Sequence, residues 1–343
     1  MSRWWKWSGL AAVAIMLAPA AARADNVADF YKGKTINIIV GFGPGGGYDA
    51  YARLLARYYG KHIPGHPSIV VQNMTGGGSV RAANHVYAVA PKDGTVIAAV
   101  NQNMPMYQLL GGEGARFDSA RIQWLGSMAH SNGTLYTWHD TNVRTLDEAK
   151  TRSLPLGGTG TTSDSHIFPN VINTLLGTKF DVVNGYPDGN AIDLALERGE
   201  VKGRGGNSWA SVTTNKKQWV DEKKINILVQ IGFKPEPDLP NVPLLVDIVK
   251  DPDEKQIVSV ISLPTVIGFA HWVAPEVPKE RVAALRAAYA ETLKDPDFLA
   301  EAKKMGQLIR PQSGEEVEAL VQKAASTTKP VLERTAKLLG WGK

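Results

Sequence analysis

Hydrophobic runs that suit buried strands alternate with amphipathic segments that suit helices along most of the chain. In the first third, the pattern predicts strands over residues 35–42, 68–73 and 96–100 and helices over 48–59 and 80–88. A middle block repeats the scheme, with strands over 154–157, 180–183 and 225–232 and helices over 165–177 and 191–198. Because alternating strands and helices are typical of parallel sheets, we predict an α/β protein made of two such units.

The last third of the chain is predicted to be mostly helical. Apolar residues share one face over 282–293, in a helix that Pro278 begins. A further helix over 314–339 contains Pro330, which lacks the amide hydrogen that a helix interior needs. We therefore expect a kink or break at that proline.

Composition limits the protein class. The chain has 343 residues, 43% of them hydrophobic, with 38 Lys and Arg against 33 Asp and Glu, which is an ordinary globular balance. The length suggests two domains. The absence of Cys excludes disulfides, Cys-based zinc sites and a thiol nucleophile. The basic residues form no stripe, so nucleic acid is not expected as a partner.

The N-terminus predicts export. Arg3 and Lys6 precede an apolar run over 10–17, and Ala22 and Ala24 supply small residues two apart. A cationic head, a short apolar stretch and such small residues form a signal peptide, here over residues 1–24 with cleavage after Ala24. The apolar run is shorter than the ~20 residues that a membrane-spanning helix needs.

Three glycine-rich loops occupy equivalent positions, over residues 41–49, 75–79 and 157–164. Each follows a predicted strand and precedes a predicted helix. Glycines let the backbone approach a ligand closely, and a helix start presents unpaired N–H groups, a combination that suits a carboxylate. Since ligands of open α/β sheets bind beyond the carboxyl ends of the strands, we expect the loops to form one cleft site.

Other chemistries lack support. The segment 41–46 fits the dinucleotide pattern G-x-G-x-x-G, but no acid that would hold a ribose occurs between Asp49 and Asp93. No phosphate-loop, G-x-S-x-G or H-E-x-x-H motif is present. His62 and His66 are separated by a Pro-Gly pair that prevents the helix a metal site would need. We predict no cofactor, no metal and no catalytic residue.

A family resemblance runs through these loops. The run Phe42-x-Pro-Gly-Gly-x-x-Asp49-x-x-x-Arg53 resembles the first loop of the tripartite tricarboxylate transporter substrate-binding proteins, the Bug/TctC family. Further similar motifs follow in order, at 72–73, 76–79, 93–94, 160–163, 186, 199–201 and 274–275. The resemblance covers nearly the whole chain after residue 24.

The resemblance implies a two-lobed periplasmic binding protein of the Venus flytrap type, with the ligand cleft between the lobes. Lobe 1 is expected over 25–129 plus 260–343, and lobe 2 over 130–259. Such a protein is not an enzyme. It captures a carboxylated organic acid, such as a di-, tri- or aromatic carboxylate, and delivers it to the large and small membrane subunits of the transporter. A monomer is expected.

The resemblance also implies a set of ligand-binding positions on the three loops and the segments facing them. Those positions are Phe42, Pro44, Gly45, Gly46, Tyr48, Asp49, Gly78, Ser79, Asn101, Thr159, Gly160, Thr161, Ser163, Tyr186, Arg204 and Asn207. Asp49 would repel a carboxylate, so we expect it to orient its loop or to accept a hydrogen bond from a ligand hydroxyl. Arg204, in an expected turn over 203–209, would either pair a second carboxylate or lie on the surface.

Two alternatives remain open at this stage. One is a secreted α/β enzyme acting on a small organic acid, although no nucleophile and base are evident as a pair. The other is the same binding fold coupled to a membrane sensor instead of a permease. The motifs indicate one bound carboxylate and leave the rest of the ligand unspecified.

Overall fold

The structure, a computed structural model, describes residues 27–341. The predicted signal peptide over residues 1–24 lies outside the described residues. Of the helices in the described part, none has the length and apolar character that crossing a membrane requires.

Strands and helices alternate over most of this range. The strands are β1 (Thr35–Val40), β2 (Ser68–Asn73), β3 (Val96–Ala99), β4 (Gln123–Ser127), β5 (Gly133–Trp138), β6 (Leu154–Gly158), β7 (Phe180–Asn184), β8 (Gly203–Ser208), β9 (Ile225–Ile231), β10 (Ala270–Val273) and β11 (Gln312–Ser313). The helices are α1 (Val27–Tyr31), α2 (Gly47–His62), α3 (Val80–Asn84), α4 (Met104–Leu109), α5 (Leu146–Thr151), α6 (Asp164–Leu176), α7 (Gly189–Glu197), α8 (Trp209–Asn215), α9 (Lys217–Asp221), α10 (Leu245–Ile248), α11 (Pro252–Ile267), α12 (Lys279–Thr292), α13 (Pro296–Lys304), α14 (Gly314–Ala325) and α15 (Lys329–Leu338). Each strand and helix predicted in the first and middle thirds is present, with its ends shifted by a few residues.

The strands form two separate sheets. One has the order β11-β4-β10-β3-β1-β2, and the other has the order β7-β6-β8-β5-β9. Helices α2, α12 and α14 pack on the first sheet, with α13 against α2, and α6 and α7 pack on the second. The two-lobed α/β fold is therefore confirmed.

Both sheets are mixed, and the predicted parallel pairing is confined to part of each sheet. Strand β1 is parallel to β2 and β3, and β6 is parallel to β7 and β8. However, β10 runs antiparallel to both neighbours β3 and β4, and β5 runs antiparallel to both β8 and β9. The reason is that β5 and β10 are the strands that enter each sheet from the other lobe. They are inserted between strands of the opposite direction.

The chain crosses between the sheets twice, and the crossing segments lie side by side. The amide of Met128 donates to the carbonyl of Phe269 at 3.1 Å, and the amide of Phe269 donates to Ala129 at 2.8 Å. The predicted boundary at 129/130 falls in the first crossing. The predicted boundary at 259/260 falls inside α11, which contacts α14 and α15 as well as β9.

A buried ion pair ties the crossings to the C-terminal third. The Glu236 carboxylate accepts from the Asn132 amide at 2.8 Å and from Arg310 Nη1 at 3.0 Å, and only 4% of Glu236 is exposed. Burial and the nearby Arg310 charge lower the pKa of His130 in the first crossing. These contacts connect the first crossing to the segment that precedes α14.

The segment 203–208 is a strand, not the expected turn. It forms β8 in the middle of the second sheet, where its alternate residues are buried. Gly206 has φ +67°, and a Cβ atom there would overlap the backbone of Asp164 at the start of α6. The glycines of this strand thus permit the close approach of helix α6. In the sequence, the same glycines are typical of a turn, so the strand was not predicted.

The C-terminal helix breaks as expected. Helix α14 ends at Ala325 and α15 begins at Lys329, with Pro330 in its first turn. The first turn has no intrahelical partner for its amides, so proline is tolerated there. The break therefore lies just before Pro330.

Candidate functional site

A pocket of about 70 Å³, partly open to solvent, lies between the two sheets at the ends of their strands. The first sheet and the crossing beside it contribute Phe42, Gly46, Gly47, Tyr48, Asn101, Gln102 and Phe269. The second sheet contributes Thr159, Ser163, Asp164, Ser165, Gly189, Arg204, Gly206, Asn207, Ser208 and Ser211.

Asp49 organises the first loop. Its Oδ2 atom accepts from the Gly45 amide and from Arg53 Nε, both at 2.9 Å, and Oδ1 accepts from Asn73 Nδ2 at 2.9 Å. Burial opposes its ionisation, but the bonds from Arg53, Gly45 and Asn73 outweigh burial and lower the pKa of Asp49. The Asn73 amide also donates to the Phe42 carbonyl at 2.8 Å. Asp49 is thus an ionised loop-orienting residue outside the pocket lining.

The second loop connects the first loop to the third. Ser79 has φ +90°, which is strained for a non-glycine residue, and its hydroxyl donates to the Gly41 carbonyl at 3.2 Å. The Thr162 hydroxyl from the other lobe donates to the Gly77 carbonyl at 2.7 Å. The loops of the two lobes are therefore in direct contact, as in a closed cleft.

Hydroxyl groups of the third loop bond mainly to one another. Thr159 Oγ1 donates to Ser163 Oγ at 2.8 Å, Ser163 Oγ lies 2.7 Å from the Gly160 carbonyl, and the Thr159 amide donates to Ser165 Oγ at 3.0 Å. This network fixes the turn that leads into α6. Its rigidity preorganises the amides at the helix start for a ligand.

Three helices of eight or more residues begin at the pocket. Helix α2 contributes Gly47 and Tyr48, α6 contributes Asp164 and Ser165, and α7 contributes Gly189. The first turn of each helix has amides without intrahelical partners and a positive dipole end. Helix starts from both lobes thus make the pocket favourable for an anion.

Asp164 brings a carboxylate to the same pocket. Gln102 Nε2 donates to Asp164 Oδ2 at 2.9 Å, and Asn103 Nδ2 donates to Oδ1. Burial raises the pKa of Asp164 to about 6, and these two amide bonds only partly offset it. The Asp164 charge in turn adds to burial in raising the pKa of Tyr48. The bonds cross the cleft, since Gln102 and Asn103 follow β3 and Asp164 begins α6.

Arg204 is neither on the surface nor a free cation. Its Nη1 atom contacts Asp193 Oδ1 at 2.9 Å and donates to the Gly189 carbonyl at 3.2 Å. The side chains of Arg204 and Asp193 are only 13% and 6% exposed. The expectation of a surface residue is therefore wrong, since Arg204 forms a buried ion pair and lines the pocket, where its Nε atom has no partner.

Aromatic rings form one wall of the pocket. Phe42 stacks on Tyr48 with ring centroids 5.0 Å apart, and Tyr48 meets Phe269 edge-on at 4.9 Å. The Tyr48 hydroxyl accepts from the Gln102 amide at 2.9 Å. This wall is apolar except at that hydroxyl, so it suits the hydrocarbon part of a ligand.

The structure brings part of the predicted site together. The predicted residues that line the pocket are Phe42, Gly46, Tyr48, Asn101, Thr159, Ser163, Arg204 and Asn207. The others lie outside the lining, namely Pro44, Gly45, Asp49, Gly78, Ser79, Gly160, Thr161 and Tyr186. Pro44, Gly45 and Thr161 are exposed, and Tyr186 packs against the cluster around Trp138 and Trp219.

Several lining residues were not predicted. Gln102, Asp164, Ser211 and Phe269 come from four different segments of the chain. Asp164 is the last residue of the predicted third loop, so its position at the start of α6 was a usable signal. Phe269 lies on the second crossing, and no local pattern marks it. In the described residues, no group of three His, Cys, Asp or Glu side chains is placed to hold a metal.

Sequence comparison relates the chain to Bug proteins. No protein-family model matches the chain. A Cupriavidus necator protein named "UPF0065 protein in gbd 5'region" is 27% identical over 246 residues, which cover 69% of this chain and 71% of that protein. BugT of Bordetella pertussis is 36% identical over 97 residues, 28% of this chain and 29% of BugT.

Solved structures show the same fold. The alignment with the periplasmic binding protein BugD covers 90% of this chain and 99% of BugD, with 20% identity and a TM-score of 0.71. The alignment with MatC of Rhodopseudomonas palustris, solved with malate, covers 88% of this chain and 99% of MatC, with 20% identity and a TM-score of 0.68. The alignment with an R. palustris protein solved with adipate covers 90% of this chain and 97% of that protein, with 21% identity and a TM-score of 0.68. The chain is thus similar in sequence to Bug proteins and has the fold of periplasmic binding proteins, as its motifs predict.

Proposed function

We propose that the protein is a periplasmic solute-binding protein that captures a carboxylated organic acid between its lobes and delivers it to a tripartite tricarboxylate transporter. Lobe 1 comprises residues 25–129 and 260–343, and lobe 2 comprises 130–259. The paired crossings at Met128 and Phe269 are the hinge. Ligand favours closure because it contacts both lobes only in the closed state.

The observation that carries the proposal is the convergence of helix starts on one pocket between the lobes. Gly47 of α2 lies on one side, and Ser165 of α6 and Gly189 of α7 lie on the other. A carboxylate bound by amides of both sides joins the two lobes, so binding and closure are the same event. The malate and adipate in two structural neighbours support a carboxylate as the bound group.

The pocket chemistry favours binding over catalysis. Among the described residues that line the pocket, Asp164 is the one carboxylate, and its partners are the amides of Gln102 and Asn103, not a hydroxyl that it could activate. The hydroxyls of Ser163 and Ser165 bond to neighbouring loop atoms and have no general base in contact. We therefore propose a protein that breaks no bond in its ligand.

Export and delivery complete the proposal. The signal peptide over residues 1–24 directs the chain to the periplasm, where cleavage after Ala24 releases it as a monomer. The closed form then docks on the large and small membrane subunits of the transporter. A reconstituted permease should accumulate labelled acid only when this binding protein is added.

Thermal unfolding of residues 25–343, stripped of co-purified ligand, tests the binding role. Malate, adipate, benzoate and simple monocarboxylates are compared with neutral sugars. A ligand present at about a thousand times its Kd adds ~4 kcal/mol of stability, which raises the Tm by several degrees. A selective shift with carboxylates supports the proposal, and shifts with sugars alone, or with none of the compounds, contradict it.

A further inference from the structure

The charges inside the pocket restrict the ligand beyond its carboxylate, on the basis of the proposed function. Asp164 is the carboxylate that lines the pocket, and its recorded partners are the amides of Gln102 and Asn103. Gln102 is 7% exposed and Asn103 is fully buried. Among the described residues, no Lys or Arg forms an ion pair with Asp164. Its negative charge is therefore solvated by dipoles alone.

The arginine of the pocket does not compensate this charge. Asp193 neutralises the charge of Arg204, whose Nη1 atom also donates to the Gly189 carbonyl, and the Arg204 Nε atom is buried without a partner. Breaking the ion pair for a ligand would leave Asp193 as a buried, uncompensated charge, which is costly. A second carboxylate on the ligand would thus meet an arginine that is already neutralised and would also face the negative charge of Asp164.

A cationic group on the ligand would instead be attracted to Asp164. A carboxylate oxygen accepts about two hydrogen bonds, and each Asp164 oxygen has one amide partner. An ammonium supplies three N–H donors and a positive charge in a partly dehydrated place, where charge-assisted bonds are strong. The Tyr48 hydroxyl, the other titratable group beside Asp164, is uncharged and does not oppose it.

We infer that the ligand is an amino-substituted monocarboxylate, with its carboxylate at the helix starts and its ammonium on Asp164. Asp164 is then the residue that selects amino acids against dicarboxylates of equal length. Because Asp164 is the first residue of α6, the helix start that would bind the ligand carboxylate and the Asp164 side chain that would bind the ammonium lie in the same pocket.

The test compares acids that share a carbon skeleton and differ at one substituent. Isothermal titration measures Kd for butanoate, 2-aminobutanoate, 4-aminobutanoate and succinate, and for hexanoate, norleucine, 6-aminohexanoate and adipate. The variants are wild type, Asp164→Asn and, as a matched control, Asp140→Asn, which removes a carboxylate from an exposed pair with Lys202. In Asp164→Asn, a rotated Asn103 side chain can accept from the new amide, because Asn103 Oδ1 is buried without a partner.

We expect at least one amino acid to bind wild type about 10-fold or more tightly than the matched monoacid and diacid. Asp164→Asn should remove that preference by about 10-fold or more, and Asp140→Asn should retain it. Diacids that bind wild type as well as the amino acids, with no effect of Asp164→Asn, would overturn the inference and leave the binding role intact. Diacid binding that tightens from pH 8 to pH 5 only when Asp164 is present would also overturn it. Failure of every acid to bind folded wild type would reject both proposals.

Discussion

Substitution of Gly43 by alanine should weaken ligand binding by opposing closure. Gly43 lies in the first loop and faces Asp188, the N-cap of α7 in the other lobe. A Cβ atom at position 43 would overlap Asp188 Oδ2 and lie 3.0 Å from its Cγ and 3.3 Å from its Cβ. Gly43 has no left-handed φ, so alanine adds a contact between the lobes and not backbone strain within the loop.

The penalty can be worked from that contact. Asp188 must rotate away, which breaks its 2.9 Å bond to the Ala191 amide, a cap worth about 1 kcal/mol. The remaining tight contacts add to this cost, as overpacking does in cores. Closure should become less favourable by about 1–2 kcal/mol, and Kd for the tightest carboxylate of the thermal panel should rise roughly 5- to 30-fold.

Isothermal titration of Gly43→Ala, Asp188→Ala and the double variant tests this reasoning. Removal of the Asp188 side chain leaves only the 3.3 Å Cβ contact, so the two changes should be non-additive by about 1 kcal/mol or more. An unchanged Kd in Gly43→Ala, or strictly additive effects of the two changes, would refute the reasoning.

Three further substitutions and one control substitution test the electrostatics by urea unfolding. Asp49→Asn should lower the free energy of unfolding by about 1–3 kcal/mol at pH 7, and, because the pKa of Asp49 is lowered, the difference from wild type should shrink below pH 4. Because the pKa of Asp164 is raised to about 6, wild type should lose stability as pH rises from 4 to 6. Asp164→Asn should lack this loss, so its free energy of unfolding should gain roughly 1–3 kcal/mol relative to wild type between pH 4 and pH 7. Glu236→Gln leaves Arg310 without its buried partner and should cost about 1–3 kcal/mol, whereas Asp221→Asn in an exposed pair should change stability by less than about 0.5 kcal/mol. Equal effects of the last two variants, or pH-independent differences for the first two, would contradict the assigned contacts.

Hydrophobic patterning was sufficient for most of the fold. The buried runs of β1 and β9 and the apolar faces of α2 and α6 are local features, so the sequence predicts them directly. Strand β8 was missed because its glycines serve packing against α6, and this requirement is set by Asp164 in another segment. The directions of β5 and β10 depend on the crossings between lobes, which no local pattern specifies.

The loops of the site were predictable, but the pairing of their side chains was not. Glycine-rich turns before helices identified the positions of Gly46 and Ser163. The bond between Gln102 and Asp164 joins residues 62 apart, and the Arg204 pair with Asp193 crosses from a strand to a helix. Charge neutralisation of Arg204 is therefore a property of the folded chain and could not be read from its neighbours in sequence.

The most direct test of the central claim is a crystal structure of residues 25–343 with the tightest carboxylate of the thermal panel. The proposal predicts the ligand in the pocket between the sheets, with its carboxylate oxygens within hydrogen-bond distance of amides at the starts of α2 and α6. The lobes should contact each other through Gln102 and Asp164. A carboxylate bound outside this pocket, or one whose contacts come from a single lobe, would contradict it.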